Sequence, residues 1–188
     1  VVSSFLAQGF SAIAYYGPDG KLVASGGSFV RNPAIVVSLA TPDNADLLWA
    51  DGFVLRHRIA MLDRAGKAGE LAAEQPLPVL TRLTRYAPGR GKTWDMGVCV
   101  RRGDGILCFP QLLNSKVFSA PLVNLAGEPL PMVRALGGET GTVITRDYRA
   151  QNVVAAYGPV GKLGLGMVLK VDAAEVFQPL REQLELAL

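Results

Sequence analysis

The chain has 188 residues, 49% of them hydrophobic and 19% charged, with two Cys and a single His; that length makes one domain or two small ones, and the apolar fraction excludes disorder. A net charge of +3, carried by scattered Lys and Arg without an interleaved aromatic stripe, excludes a nucleic-acid partner. Mean hydropathy is +0.26, yet no apolar run approaches the roughly 20 residues that span a bilayer, and the start at Val1, with no leader pattern, reads as a piece cut from something longer whose membrane anchors lie outside it.

In chain order, the first clear signal is Phe10 to Ser25, where Gly17-Pro18-Asp19-Gly20 joins two β-prone runs. Asp-Gly supplies the positive φ of a tight connection and Pro fixes its entry, so a hairpin is expected. Pro42-Asp43-Asn44 is expected to start a short helix through Leu48. Phe53 to Glu74 reads as an antiparallel pair around a turn at Asp63 to Gly66. Pro78 to Arg85 has helical spacing, and Pro88 to Gly91 marks the expected domain boundary. A second hairpin follows at Met96 to Pro110 around Gly103-Asp104-Gly105, then a Pro- and Gly-rich stretch with a short helix at Met132 to Leu136. Val153 to Val171 repeats strand, turn and strand. The order of hairpin, insert and antiparallel pair thus occurs twice, which predicts an α+β chain of two tandem modules, 1–90 and 91–188, each an antiparallel sheet flanked by helices. Asp172 and Glu175 fit a capping arrangement ahead of a terminal amphipathic helix with Val176, Phe177, Leu180, Leu184 and Leu188 on one stripe.

Catalytic and metal chemistry are poorly supplied. Gly89-Arg90-Gly91-Lys92-Thr93 ends like a phosphate-binding loop, but Tyr86 stands where its first glycine belongs and a strand, not a helix, follows. The glycines at 161, 164 and 166 precede a strand and make no dinucleotide site. His57 stands alone on an expected strand, so no histidine metal set can form and a Ser-His-Asp triad has no second candidate, and no pair of carboxylates is singled out. No cofactor is implied.

Binding candidates remain. With a two-residue turn at Gly103-Asp104, Cys99 directly opposes Cys108, close enough for a disulfide in an oxidising compartment; two buried thiols are the alternative. Arg56 and Arg58 share one strand face, where they meet an anionic ligand, lie on a solvated face, or pair with Asp51 or Asp63. Trp49 joins them as a first-module candidate. Asp147-Tyr148-Arg149, with Tyr157 on the neighbouring strand, form the second-module cluster.

Leu136 to Val143, Asp147-Tyr148-Arg149, Val154 to Val160, and Gly164 to Asp172 with Glu175 together resemble the end of Cache-type sensor domains, PAS-like extracytoplasmic modules of bacterial receptors. The resemblance implies a periplasmic sensory part of an inner-membrane protein. It implies a small-molecule pocket between each sheet and the loops or helices between its second and third strands. It also implies transmembrane segments flanking this piece, with the second module's last helix leading to the membrane and the first module distal. The output would be a cytoplasmic histidine kinase or a diguanylate cyclase or phosphodiesterase, so the piece itself is no enzyme. Ligand-binding candidates are then Trp49, Arg56, Arg58, Tyr148, Arg149 and Tyr157. The class admits an anionic ligand and a homodimer; the alternative function is a ligand-free dimerisation or spacer module. The family's amino-acid-binding pattern of Tyr, Arg, Trp, Tyr and Asp is not evident, so no ligand specificity carries over.

Overall fold

The computed structural model describes residues 2–39, 41, 44–62, 66, 68–85 and 91–186. The chain divides into two compact units, Val1–Thr81 and Arg82–Leu188, each built on a six-stranded antiparallel sheet.

The first unit starts with α1 (Val2–Ala7), then β1 (Ala12–Tyr16) and β2 (Leu22–Gly27), the expected Asp-Gly hairpin. β3 (Ile35–Ser38), β4 (Ala45–Trp49), β5 (Phe53–Leu62) and β6 (Ala68–Pro76) follow, and the sheet order is β2-β1-β6-β5-β4-β3. First and last strands therefore lie side by side at the centre. The expected helix through Leu48 is instead β4: Ala45 to Trp49 are buried throughout and pair with both β3 and β5. A short run that is apolar but for Asp46 carries no clear period of its own, and tertiary pairing decided it. The turn expected at Asp63 to Gly66 falls largely outside the described residues. Helix α2 (Pro78–Arg85) forms where the helical spacing predicts it, while the expected boundary at Pro88 to Gly91 lies, but for Gly91, outside them too.

The second unit holds β7 (Asp95–Arg102), β8 (Gly105–Cys108), β9 (Phe118–Ala120), α3 (Pro131–Leu136), β10 (Gly141–Arg146), β11 (Asn152–Pro159), β12 (Leu165–Asp172) and α4 (Ala173–Leu186). Its order, β10-β11-β12-β7-β8-β9, again sets the first strand beside the last. The expected fold class, two tandem α+β modules of PAS-like design, is the observed one. Helix α3 begins at Pro131, whose missing N–H is no loss at a first helical position. It packs across β11, β12 and β7, and glycines permit the approach: a Cβ on Gly166 would lie 2.8 Å from Met132 Sδ and 3.0 Å from Leu136 Cγ. Val153, Ala155, Val168, Ile106, Met132 and Leu130 form the core between helix and sheet. No described helix is long and apolar enough to cross a membrane.

Candidate functional site

Between α3 and the β7–β12 face of the second unit lies a cavity. It encloses about 460 Å³ of empty space including its mouth, of which about 50 Å³ admits the centre of a water molecule. Aliphatic and aromatic side chains make most of its wall, among them Ile106, Phe118, Met132, Val153 and Val168. Alternation along β8, β11 and β12 places Ile106, Val153 and Val168 there, because every second residue of each strand faces α3, while Phe118 comes from β9 and Met132 from α3 itself.

Cys99 and Cys108 also line it. The two-residue turn sets them directly opposite each other, with Val100 opposite Leu107 and Arg102 opposite Gly105. They are joined by a disulfide with Cα atoms 4.1 Å apart.

The polar end is built on Lys170. Its Nζ donates to Asp147 Oδ2 at 2.7 Å, lies 3.8 Å from Asp95 Oδ2, and sits 4.2 Å from the centroid of the Tyr148 ring. Asp95 and Lys170 are direct partners across the β7–β12 ladder, and both are buried. Asp147 is saturated: Oδ1 accepts the Arg149 and Gln151 amides, and Oδ2 accepts Lys170 and Arg149 Nε. Arg149 Nη2 continues to Asp172 Oδ1 at 2.7 Å. Tyr148 stands above this group, its oxygen accepting from Gln111 Nε2 at 2.8 Å.

Burial disfavours charge on each of these groups, and the neighbours decide the outcome. Burial pushes the Asp95 carboxyl above its ordinary range, only partly countered by the Lys170 charge and the Leu113 amide; its Oδ2 has no hydrogen-bond partner. Asp147 is also desolvated, but bonds and charge from Lys170 and Arg149 outweigh that and hold it below the usual range. Burial lowers Lys170 despite Asp147. The Tyr148 hydroxyl is pushed up to about 12 by burial, with the Asp95 charge adding to it.

The cluster reaches the start of α4. Asp172 ends β12, and its amide donates to Thr93 Oγ1 at 2.9 Å. Glu175, in the first turn of α4, accepts the Lys92 amide at 2.6 Å and the Thr93 amide at 2.8 Å, with Thr93 Oγ1 donating to it at 2.5 Å. The expected capping by Asp172 and Glu175 is therefore corrected: Asp172 holds Arg149, and Glu175 holds the segment entering β7. A long-range partner competes for the carboxylate that local pattern assigns to the helix end. These bonds, the Thr93 hydroxyl first, hold the Glu175 carboxyl below its usual range.

Of the residues singled out in the sequence, Tyr148 lines this cavity and Arg149 binds two carboxylates behind its wall. Tyr157 packs against the second-unit core away from the lining. In the first unit Trp49 is buried against Phe53, ring centroids 4.8 Å apart. Arg56 is paired with Glu74, a fully buried carboxylate, through Nε at 2.7 Å, and Arg56 Nη2 also donates to the Val30 carbonyl. Arg58 pairs with Asp46 at 2.7 Å. The carboxylates that meet the two arginines are Glu74 and Asp46, because sheet register brings β5 against β6 and β4, while Asp63, one of the two partners expected, lies outside the described residues. Lys170, Asp95 and Gln111 escape the sequence reading. The available signal was a lone lysine and a lone aspartate in otherwise apolar strands, which a buried strand tolerates only when they meet. Among the described residues, no group of three or more His, Cys, Asp or Glu could hold a metal ion.

The geometry defines a class by fold: a tandem pair of PAS-like modules with a small apolar cavity in the second. Among solved structures, the extracellular domain of mmHK1S-Z3, named as a candidate histidine kinase, matches over 96% of this chain and 80% of its own, at TM-score 0.50 and 11% identity. Extracellular domains of two more candidate histidine kinases also align: mmHK1S-Z2 at TM-score 0.48 and 12% identity, covering 91% of this chain and 79% of its own, and vpHK1S-Z8 at 0.42 and 11%, covering 94% and 75%. At such identity the mmHK1S-Z3 likeness concerns the fold alone. No protein-family model and no curated protein sequence matches the chain.

Proposed function

We propose that this chain is the extracytoplasmic ligand-sensing part of a bacterial transmembrane signalling receptor. It binds a small molecule in the second-unit cavity and passes the change through α4 to a cytoplasmic output. The observation that carries this reading is the continuity between cavity and helix. Lys170 and Tyr148 face the cavity, Asp147 and Arg149 link Lys170 to Asp172, and Thr93 and Glu175 tie Asp172 to α4. A ligand that moves Lys170 disturbs bonds that end on the helix, and differential affinity for the two arrangements would shift their populations.

Two further points support it. A disulfide on the cavity wall suits an oxidising compartment outside the cytoplasm. The fold is shared with an extracellular domain named as part of a candidate histidine kinase, which makes a kinase the favoured output and the piece itself non-catalytic. The second unit is then the one that leads to the membrane, and the first is distal.

The test is thermal-shift screening of a broad metabolite panel against the chain and against Ala155→Leu, which fills the cavity from β11. A dose-dependent rise in Tm that the variant loses supports the reading. A rise that survives in the variant moves the ligand elsewhere, and silence across the panel favours a ligand-free spacer.

A further inference from the structure

The cavity's own chemistry restricts what can enter it, and this step rests on the reading that the second-unit cavity is the ligand site. About 50 Å³ open to the centre of a water molecule, within about 460 Å³ of empty space that includes the mouth, leaves room only for a small molecule. Most of that molecule must be apolar to match the aliphatic, aromatic and cystine wall.

The polar end offers no unpaired cation and carries an excess of carboxylates. Every charged group facing Lys170 is accounted for: Asp95 from β7, and Asp147 and Arg149 from the turn between β10 and β11. With Asp172 on the far side of Arg149, two cations stand against three carboxylates. An anion would add a fourth negative charge in a poorly solvated place where the lysine is already committed to Asp147 at 2.7 Å. A cation would meet the Lys170 ammonium, and the carboxylate on the wall, Asp147, has both oxygens occupied. What is left over is donors. The Tyr148 oxygen accepts from Gln111, leaving its own hydrogen free, and Lys170 has more N–H groups than its bond to Asp147 uses.

We propose that the cavity takes a small uncharged molecule, apolar over most of its surface, bearing one hydrogen-bond acceptor for the Tyr148 hydroxyl and the Lys170 ammonium. A short-chain ketone is the simplest such ligand. This ligand class differs from the anionic one expected from Arg56 and Arg58.

The experiment uses three probes of nearly one shape and different charge: 2-butanone, propionate and sec-butylammonium. Each is titrated at pH 7 into the isotope-labelled 188-residue chain while amide shifts are followed by NMR. Butanone is expected to shift the amides of Gly97, Gln111, Met132 and Val168 saturably, at least about tenfold more tightly than either ion, since burying an unmatched charge exceeds that difference in free energy. Tyr148→Phe keeps the ring over Lys170 and is expected to weaken butanone about fivefold, the worth of one hydrogen bond; Ala155→Leu should abolish the shifts. Propionate or sec-butylammonium binding as tightly as butanone at those amides overturns the ligand class and leaves the cavity reading standing. No saturable shift with any of the three overturns the class as well, and the metabolite screen then decides the sensing reading on its own.

Discussion

Asp95 and Asp147 flank the same ammonium, and their surroundings drive them apart. Asp147 is held low by Lys170 and Arg149 against its own desolvation, so its contribution to stability is complete above its ordinary value of 3.8 and is lost as pH falls through its lower folded-state value. Asp95 is raised by burial. Between its folded-state value and 3.8 the native state holds a proton that the unfolded chain releases, and stability from this group grows as pH falls across that window. Lys170 is the residue both depend on. Lys170→Met leaves two buried carboxylates with less compensation, and urea unfolding at pH 7 should show a loss of about 3 kcal/mol. Without the ammonium both carboxyls bind protons more readily in the folded state, so the deficit against the unsubstituted chain should shrink at pH 4.5. A deficit that is equal or larger at pH 4.5 would contradict this account. None of this was legible in composition. The sequence shows a charged residue in each of two apolar strands, and only the β7–β12 register makes them partners.

Among the elements, the β7–β8 hairpin is the best specified locally. Gly103 has φ +59°, the conformation that the Gly-Asp-Gly turn anticipates, and the turn length alone sets Cys99 against Cys108. Closing a loop of this length by a disulfide restricts the unfolded chain by about 2–3 kcal/mol. The double variant Cys99→Ala, Cys108→Ala should therefore unfold at a lower urea midpoint by about that amount while keeping the strand content seen by circular dichroism. Other elements were less readable. β4 and the three-residue β9 have too short a pattern to declare a period, and β10 alternates half-buried and exposed positions at a sheet edge, where few contacts discipline the sequence. Helix α4 was anticipated by its apolar stripe, but the roles of Asp172 and Glu175 at its start were set by Arg149, Lys92 and Thr93, far away in the chain.

At the scale of the whole molecule, both units set the first strand of a six-stranded antiparallel sheet beside the last, but they differ in how many strands stand on each side of that pair and in the partners their buried charges find. In the first, Glu74 and Asp46 engage the two arginines, and the loop at Val30 is bound by Arg56 and Glu74. In the second, the cavity lies between α3 and the sheet, beside the close contacts at Gly166. A ligand found by screening should therefore slow amide hydrogen exchange at 96–99, 130–136 and 165–170 and leave 53–58 unchanged. Protection confined to 53–58 would return the site to Arg56 and Arg58. By itself the sequence determined the two-module plan, the antiparallel hairpins, the cystine register and the poverty in catalytic side chains, because turn chemistry, alternation and composition act over a few residues. Which carboxylates the arginines would find, that Lys170 would border the second-unit cavity, and how that border would connect to α4 were decided only by the tertiary structure. A buried charge is placed by whatever partner the sheet register brings within about 4 Å, and register joins residues that the chain keeps far apart.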